Sequence, residues 1–93
     1  MRLIPVKQAN ALLKKMCDVK SKCREIKLFT AKKDRSITVK NNGTELTLIE
    51  DGYLHFAKTY SLNETSTCRH AIQAALKKEF PRSNRAYLVA VPK

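Results

Sequence analysis

The sequence has no tryptophan, only two glycines and three prolines, and no long hydrophobic run. Its longest uninterrupted apolar stretch, residues 86–91, is six residues long, whereas a membrane-spanning helix needs about 18 or more. Near the N-terminus, Pro5 and Lys7 interrupt the apolar residues before a secretory hydrophobic region can form. We therefore expect a cytoplasmic protein that makes no contact with membranes.

Acidic residues are also scarce. The 93 residues include 19 Lys and Arg but only 8 Asp and Glu, so the formal net charge is +11. Residues 1–40 carry a net charge of +9 and residues 69–93 one of +5, whereas residues 41–68 carry −3. The length fits a single domain over residues 1–93, and the hydrophobic fraction of 43% is ordinary for a globular fold. A positive surface of this kind attracts polyanions, chiefly by releasing their counterions.

The three cysteines are too few, and odd in number, for a full disulfide framework, so we expect free thiols. With His70 they reach the ligand count of a Cys₃His zinc site, but their spacing does not fit one. Five residues separate Cys17 from Cys23, and Cys68 and His70 diverge by about 200° around a helix. Cys68 also continues an apolar stripe, where a buried thiol behaves as a small hydrophobic group. We therefore expect no metal and no cofactor.

Apolar residues at helical spacing predict two helices. The first runs from Pro5 to about Lys22, with Pro5 in its first turn, and the second runs from Thr65 to Phe80 and is stopped by Pro81. Strands are predicted over residues 24–33, 36–41, 45–50, 53–60 and 86–91. Turns are expected at Asn42-Gly43, as the two central residues of a type I′ hairpin, and at Asp51-Gly52.

The predicted order is therefore α-β-β-β-β-α-β, an α+β domain with an antiparallel meander of about four strands. The last strand is apolar on both faces, which favours a position inside the sheet. The residues expected to be buried share these periodicities. They are Leu13, Met16, Ile37, Val39, Leu46, Leu48, Leu54, Phe56, Ile72, Leu76, Phe80 and Val89.

The main functional prediction is a small nucleic-acid-binding module, for DNA or RNA, with low sequence specificity. Lysines bind phosphates as point charges, and arginines add planar two-pronged contacts. The predicted contacts come from the first helix and from two loops: Lys14, Lys15, Lys22, Lys32, Lys33, Arg35, Arg82 and Arg85. We expect the loop at residues 32–35 to be the main contact, because it is the densest basic run in the chain.

A stacking platform for bases is a further hypothesis. Lys27 and Phe29 share one face of their strand, and Tyr53 and His55 share one face of theirs. If the two faces coincide and stay open, bases can stack on them. If a helix covers that face, the rings belong to the core instead.

Two other classes of function remain as alternatives. A non-enzymatic interaction module, acting as a regulator or inhibitor, would use the same charge to dock on an acidic protein partner. A basic nuclease would combine a histidine with a carboxylate such as Glu50 or Asp51. Because no nucleophile-and-base arrangement and no glycine-rich phosphate loop is visible, we expect a protein that is not an enzyme. Its charge and composition are compatible with a monomer or a homodimer.

Overall fold

The computed structural model of the protein describes residues 2–18, 23–30, 32, 34–52, 55–80 and 84–92. These residues form a small α+β domain with two helices and one six-stranded antiparallel sheet, which confirms the predicted fold class. The elements, in chain order, are β1 (Arg2–Pro5), α1 (Val6–Lys15), β2 (Cys23–Phe29), β3 (Ser36–Asn41), β4 (Glu45–Asp51), β5 (His55–Ser61), α2 (Thr65–Glu79) and β6 (Arg85–Pro92). Neither of these helices is long and apolar enough to cross a membrane.

Strand β1 was not predicted. Its four residues are too few to show an alternating pattern, and they become a strand by pairing with β6, whose partner residues lie 80 to 86 positions later in the chain. Pro5 is therefore the extended last residue of β1 and does not belong to the first helical turn. A proline is tolerated there because β1 is an edge strand. The N–H of Val6 then donates to the Asn84 carbonyl at 2.9 Å, which ties the start of α1 to the segment before β6.

Helix α1 is shorter than predicted and ends at Lys15. The Asn41 side chain lies across the chain that follows the helix and donates from Nδ2 to the carbonyls of Met16 (2.7 Å) and Asp18 (2.9 Å). These contacts favour the end of the helix, because the Asn41 amide satisfies backbone carbonyls that a longer helix would pair internally. Residues 19–22, over which the helix was expected to continue, lie outside the described residues.

The sheet order is β1-β6-β2-β3-β4-β5. Strands β2 to β5 form the predicted meander, with each strand pairing to the next. Strand β6 lies between β1 and β2, which confirms its predicted position inside the sheet. The β2–β3 loop and the β4–β5 turn lie at one end of the sheet, called here the Gly52 end. The β3–β4 turn lies at the other, the Gly43 end.

Both helices pack on one face of the sheet. Alternate strand residues, such as Ile26, Val39 and Leu48, face the helices and join them in one buried cluster. The other face is called here the open face, because the described helices do not pack on it. Phe29 and Tyr87 lie on it and are half-buried, as are Lys27 and Val89, two positions along the same strands. The cluster contains Ile4, Ala9, Leu13, Met16, Cys17, Ile26, Leu28, Ile37, Val39, Leu46, Leu48, Leu62, Cys68, Ile72, Ala75, Leu76, Phe80, Ala86 and Leu88.

Nine of the twelve predicted core residues belong to this cluster. Two were wrong, and Leu54 lies outside the described residues. Phe56 has the inward parity but is 38% exposed, because β5 is an edge strand and only the margin of α2 reaches it. Val89 is half-buried because it belongs to the open face, opposite Lys27.

The β3–β4 turn is centred one residue later than predicted. Asn42 donates from its backbone N–H to the Glu45 carbonyl at 3.1 Å, so Gly43 and Thr44 are the central residues. Gly43 has φ +98°, which favours glycine, and Asn42 Oδ1 accepts the N–H groups of Thr44 and Glu45. The shift moves the strand pairing by two residues, so every side chain keeps its predicted face.

Candidate nucleic-acid interface

The two helices carry a concentrated positive charge on their outward sides. Helix α1 contains no acidic residue, and the one acidic residue of α2, Glu79, is buried with 1% exposure. The basic residues of both helices are exposed or half-exposed. We call five of them the helix surface: Lys7, Lys14, Lys15, Arg69 and Lys77. Lys78 is left out, because its ammonium lies 3.9 Å from the buried Glu50 carboxylate.

The helices lie side by side and run in opposite directions. Helix α1 runs toward the Gly43 end, where Asn41 binds the chain that follows it, and α2 returns from β5 toward the Gly52 end. Between them lies a groove of about 280 Å³, with Lys7 and Asn10 on one side and Gln73 and Lys77 on the other. Since Lys14 and Arg69 continue these two stripes by one turn each, cations are repeated along the seam between the helices.

Among the described residues, the carboxylates next to this surface lie at its margin: Asp18 after α1 and Glu64 before α2. Asp18, just beyond α1, and Arg69 line a second cavity of about 320 Å³. Lys14 and Lys15 also occupy the last turn of α1, where positive charge favours the helix dipole. The lysines thus have a structural benefit in addition to their exposed charge.

Similarity to known proteins does not assign a role to this surface. Comparisons with models of known families, with curated proteins and with solved structures find no match.

The structure separates the predicted contacts into two groups. Lys14 and Lys15 belong to the helix surface, near the Gly43 end. Lys32, Arg35 and Arg85 lie at the Gly52 end, in the β2–β3 loop and at the start of β6. Lys22, Lys33 and Arg82 are outside the described residues.

The β2–β3 loop is less purely basic than its sequence suggests. Thr30 closes it by donating from its N–H to the Arg35 carbonyl at 3.1 Å and from its hydroxyl to Asp34 Oδ1 at 2.7 Å. The hydroxyl bond holds the pKa of Asp34 below its ordinary value, so the loop retains a carboxylate among its cations. Arg35 turns toward the helix side of the sheet and packs beside Gly52 and Glu79. A Cβ on Gly52 would lie 2.6 Å from Arg35 Cγ, which explains the glycine at this position.

An aromatic pair lies on the open face at the same end. Phe29 and Tyr87 are direct register partners on β2 and β6, and both are half-buried. Lys27 Nζ lies 5.5 Å from the centroid of the Phe29 ring. His55 lies in the same row of the sheet, beyond Ser36 and Asp51, so the faces of Phe29 and His55 coincide as the stacking hypothesis requires. Tyr53, the other predicted platform residue, is outside the described residues.

The candidate histidine and carboxylate of a nuclease do meet. His55 Nδ1 lies 2.8 Å from Asp51 Oδ1, and the two side chains are 76% and 66% exposed. Ser36 is the neighbour of Asp51 across the sheet, so the row reads Ser-Asp-His, with the carboxylate next to the serine. A serine nucleophile needs the histidine beside it, and this order does not provide one.

Two of the three cysteines are close together in the core. Cys17 follows α1, Cys68 lies in the first turns of α2, and their thiols are hydrogen-bonding neighbours. Burial raises the pKa of Cys17 to about 12 and also raises that of Cys68. Both thiols therefore stay protonated and packed, whereas Cys23 is half-exposed at the start of β2.

Several residues of these surfaces were missing from the predicted site. Lys7, Arg69 and Lys77 carry a signal in the sequence, because they extend helical stripes that contain no acidic residue. Tyr87 carries none, since its neighbour Phe29 is 58 positions away and only the β2–β6 register brings the two together.

Proposed function

We propose that the protein binds nucleic acid through the phosphate backbone, with the helix surface as its main contact. The observation that carries this proposal is the charge of the two helices, because every charged residue that they expose to solvent is a cation. Five cations on neighbouring stripes create a local positive potential that a mixed surface of the same net charge would not create.

The side-chain types explain why low sequence specificity is expected. Four of the five cations are lysines, which contact phosphates as point charges and do not read base edges. Phosphate contacts position a nucleic acid without discriminating between sequences. Lys32 and Arg85, at the Gly52 end, supply a second group of cations that a longer ligand can reach.

An acidic protein partner is the competing proposal, because the same surface would steer such a partner. The two differ in their response to salt. Binding of a nucleic acid weakens linearly with the logarithm of salt concentration, with a slope of about −0.7 to −0.9 per neutralised phosphate. A folded acidic protein has fewer condensed counterions to release and a fixed stoichiometry.

The test is a titration of labelled single-stranded DNA, duplex DNA and RNA at several salt concentrations. We expect binding with a steep linear salt dependence for the parent, and a weaker slope for the Lys7→Gln/Lys15→Gln/Lys77→Gln variant. Lys58→Gln is the control, since Lys58 is an exposed lysine of the edge strand β5 and belongs neither to the helix surface nor to the open face. Absence of binding at low salt, or equal effects of the triple variant and the control, would refute the proposal.

A further inference from the structure

We infer that the open face binds unpaired bases by stacking on Phe29 and Tyr87, so that the favoured ligand is single-stranded. This inference rests on the proposed function and specifies its substrate class. It concerns a different side of the molecule, because the helix surface and the open face lie on opposite sides of the sheet.

The arrangement of the two rings supports stacking. Direct register partners on antiparallel strands have Cβ atoms about 4.5–5.5 Å apart, so Phe29 and Tyr87 form one continuous aromatic surface. Leu3 is the register partner of Tyr87 on its other side and is 44% exposed, which extends the apolar surface to the edge of the sheet. Bases stack on such platforms whatever their sequence, since each base has a π-face.

The surrounding charges favour a nucleic acid over an apolar protein partner. Lys27 on β2, Arg85 on β6 and Lys32 in the adjacent loop surround the aromatic pair. Two carboxylates of the same face are already engaged, Asp51 with His55 and Glu25 with Lys40. A strand crossing the rings therefore meets cations on either side of the aromatic pair, Lys27 on one side and Arg85 on the other.

Lys27 has a defined part in this arrangement. In the free protein its ammonium lies over the Phe29 ring, where it makes a cation–π contact at 5.5 Å. A stacked base takes that position, and the flexible lysine side chain moves to a neighbouring phosphate. Breaking the cation–π contact costs little binding free energy, because such exposed contacts are weak.

The experiment compares a single strand of about 12 nucleotides, within the usual site size for such surfaces, with its duplex. Phe29→Leu and Tyr87→Leu each keep apolar volume but remove a ring. Tyr87→Phe keeps the ring and removes only the hydroxyl. Phe56→Leu is the matched control, because Phe56 is an exposed ring with a lysine at 5.5 Å on the helix side of the edge strand. Thermal melts establish whether each variant is folded. If Phe29→Leu does not fold, the comparison of Tyr87→Leu with Tyr87→Phe decides the test.

We expect each ring removal to weaken single-strand binding by on the order of tenfold, with the same salt slope and unchanged duplex affinity. Tyr87→Phe and Phe56→Leu should bind like the parent. A 2-aminopurine base in the strand should be quenched on binding, and Tyr87→Leu should reduce the quenching. Unchanged single-strand affinity in the ring variants, or equal losses for strand and duplex, overturns the inference while leaving the proposed function in place. If the parent protein binds no nucleic acid, both the inference and the proposed function are overturned. This outcome needs no variant to be recognised.

Discussion

At the scale of single residues, Asn41 links the sheet to the end of α1 through side-chain hydrogen bonds. It is 3% exposed, and its Nδ2 donates to the Met16 and Asp18 carbonyls while its Oδ1 accepts the Gly43 N–H at 2.8 Å. One amide therefore joins the end of α1 to the β3–β4 turn. Buried backbone groups need such partners, because leaving one unpaired costs about 1–3 kcal/mol.

Asn41→Ala should lower the free energy of unfolding by roughly 3 kcal/mol, because three backbone groups lose their partner. Asn42→Ala is the comparison, since Asn42 is an exposed asparagine whose side chain serves only its own turn, and it should cost about 1 kcal/mol. Urea denaturation measures both. Equal costs for the two variants would show that the contacts of Asn41 to α1 contribute nothing.

Glu50 makes stability depend on pH in an unusual direction. Its side chain is fully buried, neither carboxylate oxygen has a hydrogen-bond partner among the described residues, and burial raises its pKa despite the nearby Lys78. At pH values between the ordinary pKa and the raised pKa of Glu50, the folded protein therefore binds more protons than the unfolded chain does. Stability contributed by this group is present below its ordinary pKa and is lost as pH rises through the raised one.

Glu50→Gln should remove this loss, so the variant should melt higher than the parent at pH 7 and show a flatter pH profile in the acidic range. Glu45→Gln, an exposed carboxylate on the same strand, should leave the profile unchanged. Melting temperatures between pH 4 and 8 provide the measurement. A lower melting temperature for Glu50→Gln at pH 7 would mean that the charge pair with Lys78 outweighs the cost of burial.

The thiols should separate into two classes of reactivity. The thiolate is the reactive form, so the raised pKa and burial of Cys17 and Cys68 should protect them from a thiol reagent in the native state. Cys23 should react first, and Cys23→Ser should abolish the fast phase. Two or three fast thiols in the native protein would contradict the packed arrangement of Cys17 and Cys68.

At the scale of elements, α2 stabilises the sheet through its apolar stripe. Leu76 is 6% exposed and belongs to the buried cluster, so Leu76→Ala should cost about 2–5 kcal/mol of unfolding free energy. Ala74→Ser, at an exposed position of the same helix, should be close to neutral. Chemical denaturation measures the unfolding free energy of both variants. An unchanged value for Leu76→Ala would show that the apolar stripe of α2 does not stabilise the sheet through Leu76.

At the scale of the whole molecule, Lys32 and Arg85 lie outside the helix surface, with Arg85 on the opposite side of the sheet, and the two groups of cations should act independently. Lys32→Glu with Arg85→Glu should lower the salt slope of nucleic-acid binding by about two, and its effect should add to that of the helix-surface variant. Arg35 is left intact, because Arg35→Glu would bring a carboxylate beside the buried Glu79 and destabilise the fold. Binding titrations over a salt series measure the slopes; strong non-additivity would indicate one shared contact surface.

The sequence by itself determined the elements whose signal is local. The meander, α2 and nine core residues follow from periods of two and 3.6 residues, because each period marks one buried face. The excess of positive charge is equally local information. The turn at Gly43 was predicted to within one residue, since asparagine and glycine have specific backbone preferences there.

Only the tertiary structure decided what depends on distant partners. Strand β1 exists because β6 pairs with it, and α1 ends where Asn41 binds the following chain. Phe56 is exposed because β5 is the edge of the sheet, and Phe29 meets Tyr87 through a register that no local pattern records. The predicted basic residues were likewise divided between two ends of the molecule, because strand order and helix direction are set by packing and not by neighbouring residues.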